Sequence, residues 1–199
     1  MASSQVRRRQ CRREAFKLKG CDMLFATLDF EASSLTGWPI EAGWMREGDA
    51  ASWSMLIRPE RMWSMGEWDA KAEAVHKIPI ETLRRDGVDA AAVLLELTRE
   101  LKGYVVVSDA PIYDSWWLGR LADACRQDRP FRLWSINDAI PTLAARAGVS
   151  VGAAVKRYLK NAPRAAAPHH AGADAERLLR RLLSIRSKGS GQGANSDDA

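Results

Sequence analysis

Hydrophobic and polar positions divide the chain into short runs with two different periods. From Met23 to Glu31 both alternating faces are apolar, with Leu24, Ala26, Leu28 and Phe30 on one and Met23 and Phe25 on the other. That pattern predicts a central strand covered on both sides. Ile40 to Arg46 and Ala51 to Ile57 read as two further strands joined by the turn residues "EGDA", and Pro59 ends the run. Helical composition follows at 69–76 and again beyond Pro79, and Asp89 to Lys102 predicts a stronger helix stopped by Gly103. "YVVVSDA" reads as a buried strand, Pro111 to Gln127 as a helix, "FRLWSI" as a short strand, and the Ala-rich residues as far as Lys160 as further helices. The loop "NAPRAAAPHH" then leads into a last helix from Asp174 to near Arg186. Three antiparallel-looking strands followed by alternating helices and strands predict a layered α/β or α+β domain with a mixed sheet.

The length of 199 residues suits one domain with tails. We place a basic flexible arm at 1–22, the folded domain at 23–187 and a Gly/Ser-rich disordered tail at 188–199. No apolar run approaches the ~20 residues that span a bilayer. The Arg-rich start lacks the apolar segment of a secretory signal, which predicts a cytoplasmic protein without membrane contact. Residues 1–20 hold seven basic side chains against Glu14, a local net of +6, so the rest of a chain that carries +5 overall sums to −1. The basicity belongs to the arm, which suits either nucleic-acid contact by charge or a plain extension upstream of Met23. Cys11, Cys21 and Cys125 are widely spaced, with no C-x-x-C pair, and argue against zinc or a disulfide framework.

Candidate chemistry begins in the first strand. Asp29 and Glu31 stand two apart and therefore project from one face. Two buried carboxylates side by side repel unless a cation neutralises them. Two later helices add acids. Asp114 heads the stripe Trp117, Leu118, Leu121 and Cys125, and Asp174 heads Leu178, Leu182 and Ile185, so each lies on a core-facing line. Singly, each aspartate is compatible with helix capping. Together, four aligned acids suit hard oxygen-seeking cations such as Mg²⁺ or Mn²⁺. Two such ions about 3.5 to 4 Å apart serve in-line displacement at phosphorus. His169 and His170, in the loop before Asp174, supply a base that titrates near neutral pH. Trp63 and Trp68 are open to two readings, core packing or stacking on single strands.

The series "LDFEASSL", "SDAPIYDSWWL" and "HHAGADA" resembles the three motifs of DEDDh-type 3′–5′ exonucleases in the ribonuclease H-like superfamily, over roughly Met23 to Ile185. The resemblance implies a mixed five-stranded sheet flanked by helices. It implies that Asp29, Glu31, Asp114 and Asp174 hold two Mg²⁺ or Mn²⁺ ions and that His169, by the H-x-A-x-x-D pattern, is the base. It further implies that Phe30, Ala32, Ser33, His76 and Tyr113 line the substrate, and that the substrate is a DNA or RNA 3′ end. A protein partner or homodimer is compatible with it. Departures from the pattern are Ser34 in place of a glycine, "DAP" in place of Asn-Ala, and His170 after the base. Two other readings stand beside it: a non-catalytic nucleic-acid-binding or assembly subunit on the same fold, and a phosphoesterase for small nucleotides.

Overall fold

The structure, a computed structural model, describes residues 23–161 and 169–186. The arm, the tail and most of the loop before His169 lie outside the described residues. Among the described residues five strands form one sheet: β1 (Phe25–Ala32), β2 (Pro39–Arg46), β3 (Trp53–Leu56), β4 (Val105–Ser108) and β5 (Trp134–Ser135). Their order is β3-β2-β1-β4-β5. β1, β2 and β3 pair antiparallel, whereas β4 joins β1 in parallel and β5 joins β4 in parallel, so the sheet is mixed as the sequence predicts. Among the described residues seven α-helices flank it: α1 (Ala70–His76), α2 (Ile80–Asp86), α3 (Ala90–Glu100), α4 (Pro111–Ala124), α5 (Ile136–Ala147), α6 (Val151–Lys160) and α7 (Ala171–Leu183). None of these helices is long and apolar enough to cross a membrane.

The strand alternation sorts the core into two layers. Ala26, Leu28 and Phe30 of β1 join Ile40, Ala42 and Trp44 of β2 under α2, α3 and α4. Phe25 of β1, Met45 of β2 and Val107 of β4 face α5, α6 and α7 on the other side. Residues 27, 29 and 31 share the face of Phe25, and the Thr27 hydroxyl donates to the Ala175 carbonyl of α7 at 2.6 Å. β1 is thereby fixed to the helix that carries Asp174.

Three boundaries differ from the sequence pattern, two of them for a local reason. α7 starts at Ala171, three residues before Asp174, because its small first residues lie against β2: a Cβ on Gly43 would come within 2.0 Å of the Ala171 carbonyl carbon. β5 keeps only two of the six residues in "FRLWSI", since Ser135 turns away as the N-cap of α5 and closes a capping box with Asp138. The last helix also tightens to a 3₁₀ turn over Ser184–Arg186. Both tryptophans left open by the sequence pack inward. Trp63 is buried and stacks on Trp38 at 5.3 Å, and Trp68 tilts against the same ring at 5.5 Å.

Candidate metal and catalytic site

β1 and β4 run parallel, so their carboxyl ends point the same way, the side on which open α/β sheets present ligand sites. The register pairs Thr27 with Val107, and continued by two residues it sets Asp29 beside Asp109. α4 begins directly after this point, with Asp114 in its first turn. Asp114 is fully buried and serves no cap: its carboxylate accepts the Phe30 N–H at 3.2 Å and the hydroxyl of Ser108. One oxygen each from Asp29, Asp109 and Asp114 lie within 4.8 Å of one another.

A second group forms on the α7 side. One ligand atom each of Glu31, His169 and Asp174 also lie within 4.8 Å of one another. His169 Nδ1 stands 3.6 Å from Asp174, and the Asp174 carboxylate is also paired with Arg177, one turn further along α7. His170 turns the other way and places its Nδ1 3.8 Å from Glu41.

The electrostatics are those of like charges held close. Burial, reinforced by Asp114, Glu31, Asp109 and Glu41, pushes the Asp29 carboxyl well above the usual carboxylate range. Glu31 is pushed up to about 7, chiefly by burial and then by Glu41 and Asp114. Asp114 also rises to about 7 on burial, opposed by the Ser108 and Phe30 hydrogen bonds and raised further by Asp109. Glu31 and Asp114 thus part with their protons near neutrality, and a divalent cation would offset the charge such acids then carry. Oxygen donors with one imidazole suit Mg²⁺ or Mn²⁺ better than a thiolate-seeking metal.

The structure places the acids and the histidine singled out by sequence in two groups, Asp29 and Asp114 in one and Glu31, His169 and Asp174 in the other. The other expected site residues are more dispersed in exposure. Tyr113 is half-exposed and stacks on Trp117 at 5.9 Å. Phe30 and Ala32 are buried, and the buried Ser33 hydroxyl accepts the Trp38 N–H at 3.0 Å. His76 is 1% exposed, packs edge-on to Trp68, and accepts the Ile78 N–H at Nδ1, while its Nε2 has no hydrogen-bond partner. Burial lowers its pKa. Sequence reasoning missed two acids. Asp109 stood in "DAP" as a departure from a motif, although the parallel register beside Asp29 marks it as a neighbour. Glu41 was hidden inside the apolar β2 pattern, and only its cross-strand pairing with Glu31 exposes it.

Compared by sequence, neither a protein-family model nor a curated protein matches the chain. Compared by structure, it resembles a 3′-exonuclease solved in specific recognition of the 3′ end of a histone mRNA stem-loop, at 12% identity and a TM-score of 0.60, over 92% of this chain and 70% of the other. It resembles the nuclease domain of 3′hExo, a DEDDh family member solved with rAMP, at 16% identity and 0.59, over 84% and 92%. It also resembles E. coli exonuclease I in complex with a dT13 oligonucleotide, at 13% identity and 0.58, over 83% of this chain. The chain spans about two-fifths, 42%, of that last protein. With the sheet order and helical layers described above, this chain has the ribonuclease H-like fold of the DEDDh-type 3′–5′ exonucleases.

Proposed function

We propose that the protein is a metal-dependent 3′–5′ exonuclease that hydrolyses terminal phosphodiesters of single-stranded DNA or RNA to nucleoside 5′-monophosphates. The observation that carries this reading is the meeting of Asp29, Asp109 and Asp114, and of Glu31, His169 and Asp174, drawn from β1, the residue after β4, α4 and the start of α7. Asp29, Glu31, Asp114 and Asp174, with Asp109 beside them, would hold two Mg²⁺ or Mn²⁺ ions. When bound, such ions neutralise the scissile phosphate and favour ionisation of a water.

The chain's own residues then have distinct tasks. His169 takes the proton of the attacking water, and Asp174 lies beside its ring, 3.6 Å from Nδ1. Tyr113, half-exposed next to Asp114, offers an aromatic face to a terminal base. Phe30 and Ala32 shape the floor beneath the terminal sugar, Ser33 holds the turn that closes it, and His76 backs the same wall through its unpartnered Nε2.

The test is a 3′-tailed oligonucleotide labelled at its 5′ end, incubated with and without Mg²⁺ or Mn²⁺. The expected result is a ladder shortening from the 3′ end, abolished by chelator and by Asp29→Ala or His169→Ala. Binding without shortening would assign a non-catalytic role instead. Shortening that survives Asp174→Ala would overturn the assignment of the site.

A further inference from the structure

Glu41 is a buried acid without a task in the chemistry above, and its place in the fold is unusual. It lies on β2 directly across from Glu31, 5% exposed. Like charges opposed across an antiparallel pair disfavour the sheet, so an acid here must be compensated from elsewhere. The compensation comes from α7. The Ala171 N–H donates to Glu41 Oε2 at 3.1 Å, across 130 residues of sequence, and the same oxygen stands 3.8 Å from His170 Nδ1. Ala171 is the first residue of α7, and its N–H is one of the donors that a helix start leaves without a partner. The residue in the N-cap position, His170, makes no side-chain capping bond. The cap is supplied by the sheet instead. Gly43, two residues further on the same face, leaves room for the Ala171 and Gly172 backbone to rest on β2.

We propose that Glu41 is a positioning residue of the site, a cap donated by β2 that fixes the first turn of α7, and with it His169 and Asp174, in register with Glu31. His169 lies two residues before the capped N–H and Asp174 three after it, so a shift of that turn carries both. Glu41 stands outside both candidate metal-binding groups, and it acts through α7. This inference rests on the nuclease reading for its kinetic consequence but not for its metal-binding consequence.

The experiment compares the unaltered protein with Glu41→Gln and Glu41→Ala, at a temperature where circular dichroism finds all three folded. The carboxamide oxygen of Gln still accepts the Ala171 N–H but carries no charge; Ala removes the acceptor. Two quantities are measured: kcat and KM on the labelled oligonucleotide at saturating Mg²⁺, and Mn²⁺ affinity by calorimetry. We expect Glu41→Ala to lose about tenfold to a hundredfold in kcat with KM little changed, as a small misplacement of reacting groups does. We expect it to bind Mn²⁺ about tenfold more weakly, as loss of an outer partner of metal ligands does. Glu41→Gln should stay within about threefold of the parent in both. An unchanged Glu41→Ala overturns the proposal. So does a Glu41→Gln as impaired as Glu41→Ala, because charge and not the cap would then be what matters. If the parent shortens no oligonucleotide, the nuclease reading fails by itself, and the Mn²⁺ comparison alone decides the role of Glu41.

Discussion

Replacing Glu31 by Gln is expected to stabilise the metal-free protein, and to do so only as the pH rises. The Glu31 carboxyl, ordinarily near 4.5, is pushed up to about 7 in the fold. An acid whose folded-state pKa is raised contributes stability that is fully present below 4.5 and is lost as pH climbs through about 7. At about 1.4 kcal/mol per pH unit, that interval corresponds to a cost of about 3 kcal/mol for keeping Glu31 ionised. Its carboxylate is partly exposed at the end of β1, so solvent screening reduces the expected effect to about 1–2 kcal/mol. Gln is isosteric, neutral at every pH, and free of repulsion from Glu41 across the strand pair. The variant should therefore melt about 3–6 °C above the parent near pH 8.5 in chelator. The gain should shrink to a small fraction near pH 4.5, where Glu31 is protonated in the folded state and half protonated in the unfolded one. Scanning calorimetry at a series of pH values reads this directly. Added Mn²⁺ should reverse the order, because the parent then gains a ligand that the variant has lost. A variant that melts lower than the parent near pH 8.5, or gains equally at both ends of the series, would refute the view of Glu31 as a repelled acid.

Three further outcomes follow from the same geometry. Mn²⁺ affinity should rise with pH up to about 7 to 8, with at least one proton released per binding event near pH 6, because Asp29, Glu31 and Asp114 must ionise to act as ligands; calorimetry in two buffers of different ionisation enthalpy counts the protons. Arg177→Ala frees Asp174 of its ion pair and should tighten Mn²⁺ binding by up to about fivefold, the value of a partly exposed pair of up to about 1 kcal/mol; weaker binding in titration would show that Arg177 holds Asp174 in place. Gly43→Ala sets a methyl group 2.0 Å from the Ala171 carbonyl carbon, and thermal melts should report a loss of about 1–3 kcal/mol, the usual cost of overpacking. An unchanged melting temperature would mean that α7 rests less closely on β2 than described.

What the sequence discloses about the site depends on how local each signal is. Asp29 and Glu31 are legible because strand alternation alone puts them on one face, and Asp114 and Asp174 because helical periodicity aligns each with an apolar stripe. The central strand is legible for the same reason: Ala26, Leu28 and Phe30 enter one core layer and Phe25 the other. Asp109 and Glu41 acquire meaning only from pairings between strands far apart in the chain, parallel with β4 and antiparallel with β2. No periodicity within either segment encodes that register. The start of α7 was misread for a related reason. An aspartate ahead of an apolar run looks like an N-cap, whereas the actual cap comes from β2.

Asp114 and Asp174 occupy the same place in their respective helices. Each is the fourth residue of its helix, and the two helices reach the end of β1 from opposite layers of the domain. Helix starts carry a partial positive charge of roughly half a unit, so this meeting point is where the fold best tolerates negative side chains. Tolerance is not neutralisation, however, and two half-charges do not offset Asp29, Glu31, Asp109, Asp114 and Asp174 together. Asp138 provides the internal contrast. As the acid of the α5 capping box it receives the Ser135 hydroxyl and backbone N–H, and its pKa is lowered. Asp114 sits equally near a helix start, yet it is raised to about 7. A carboxylate that serves its own helix is rewarded by that helix with an easier ionisation. The acids at the end of β1 are held against their own repulsion, an arrangement that costs the fold stability and that the cations proposed above would make favourable.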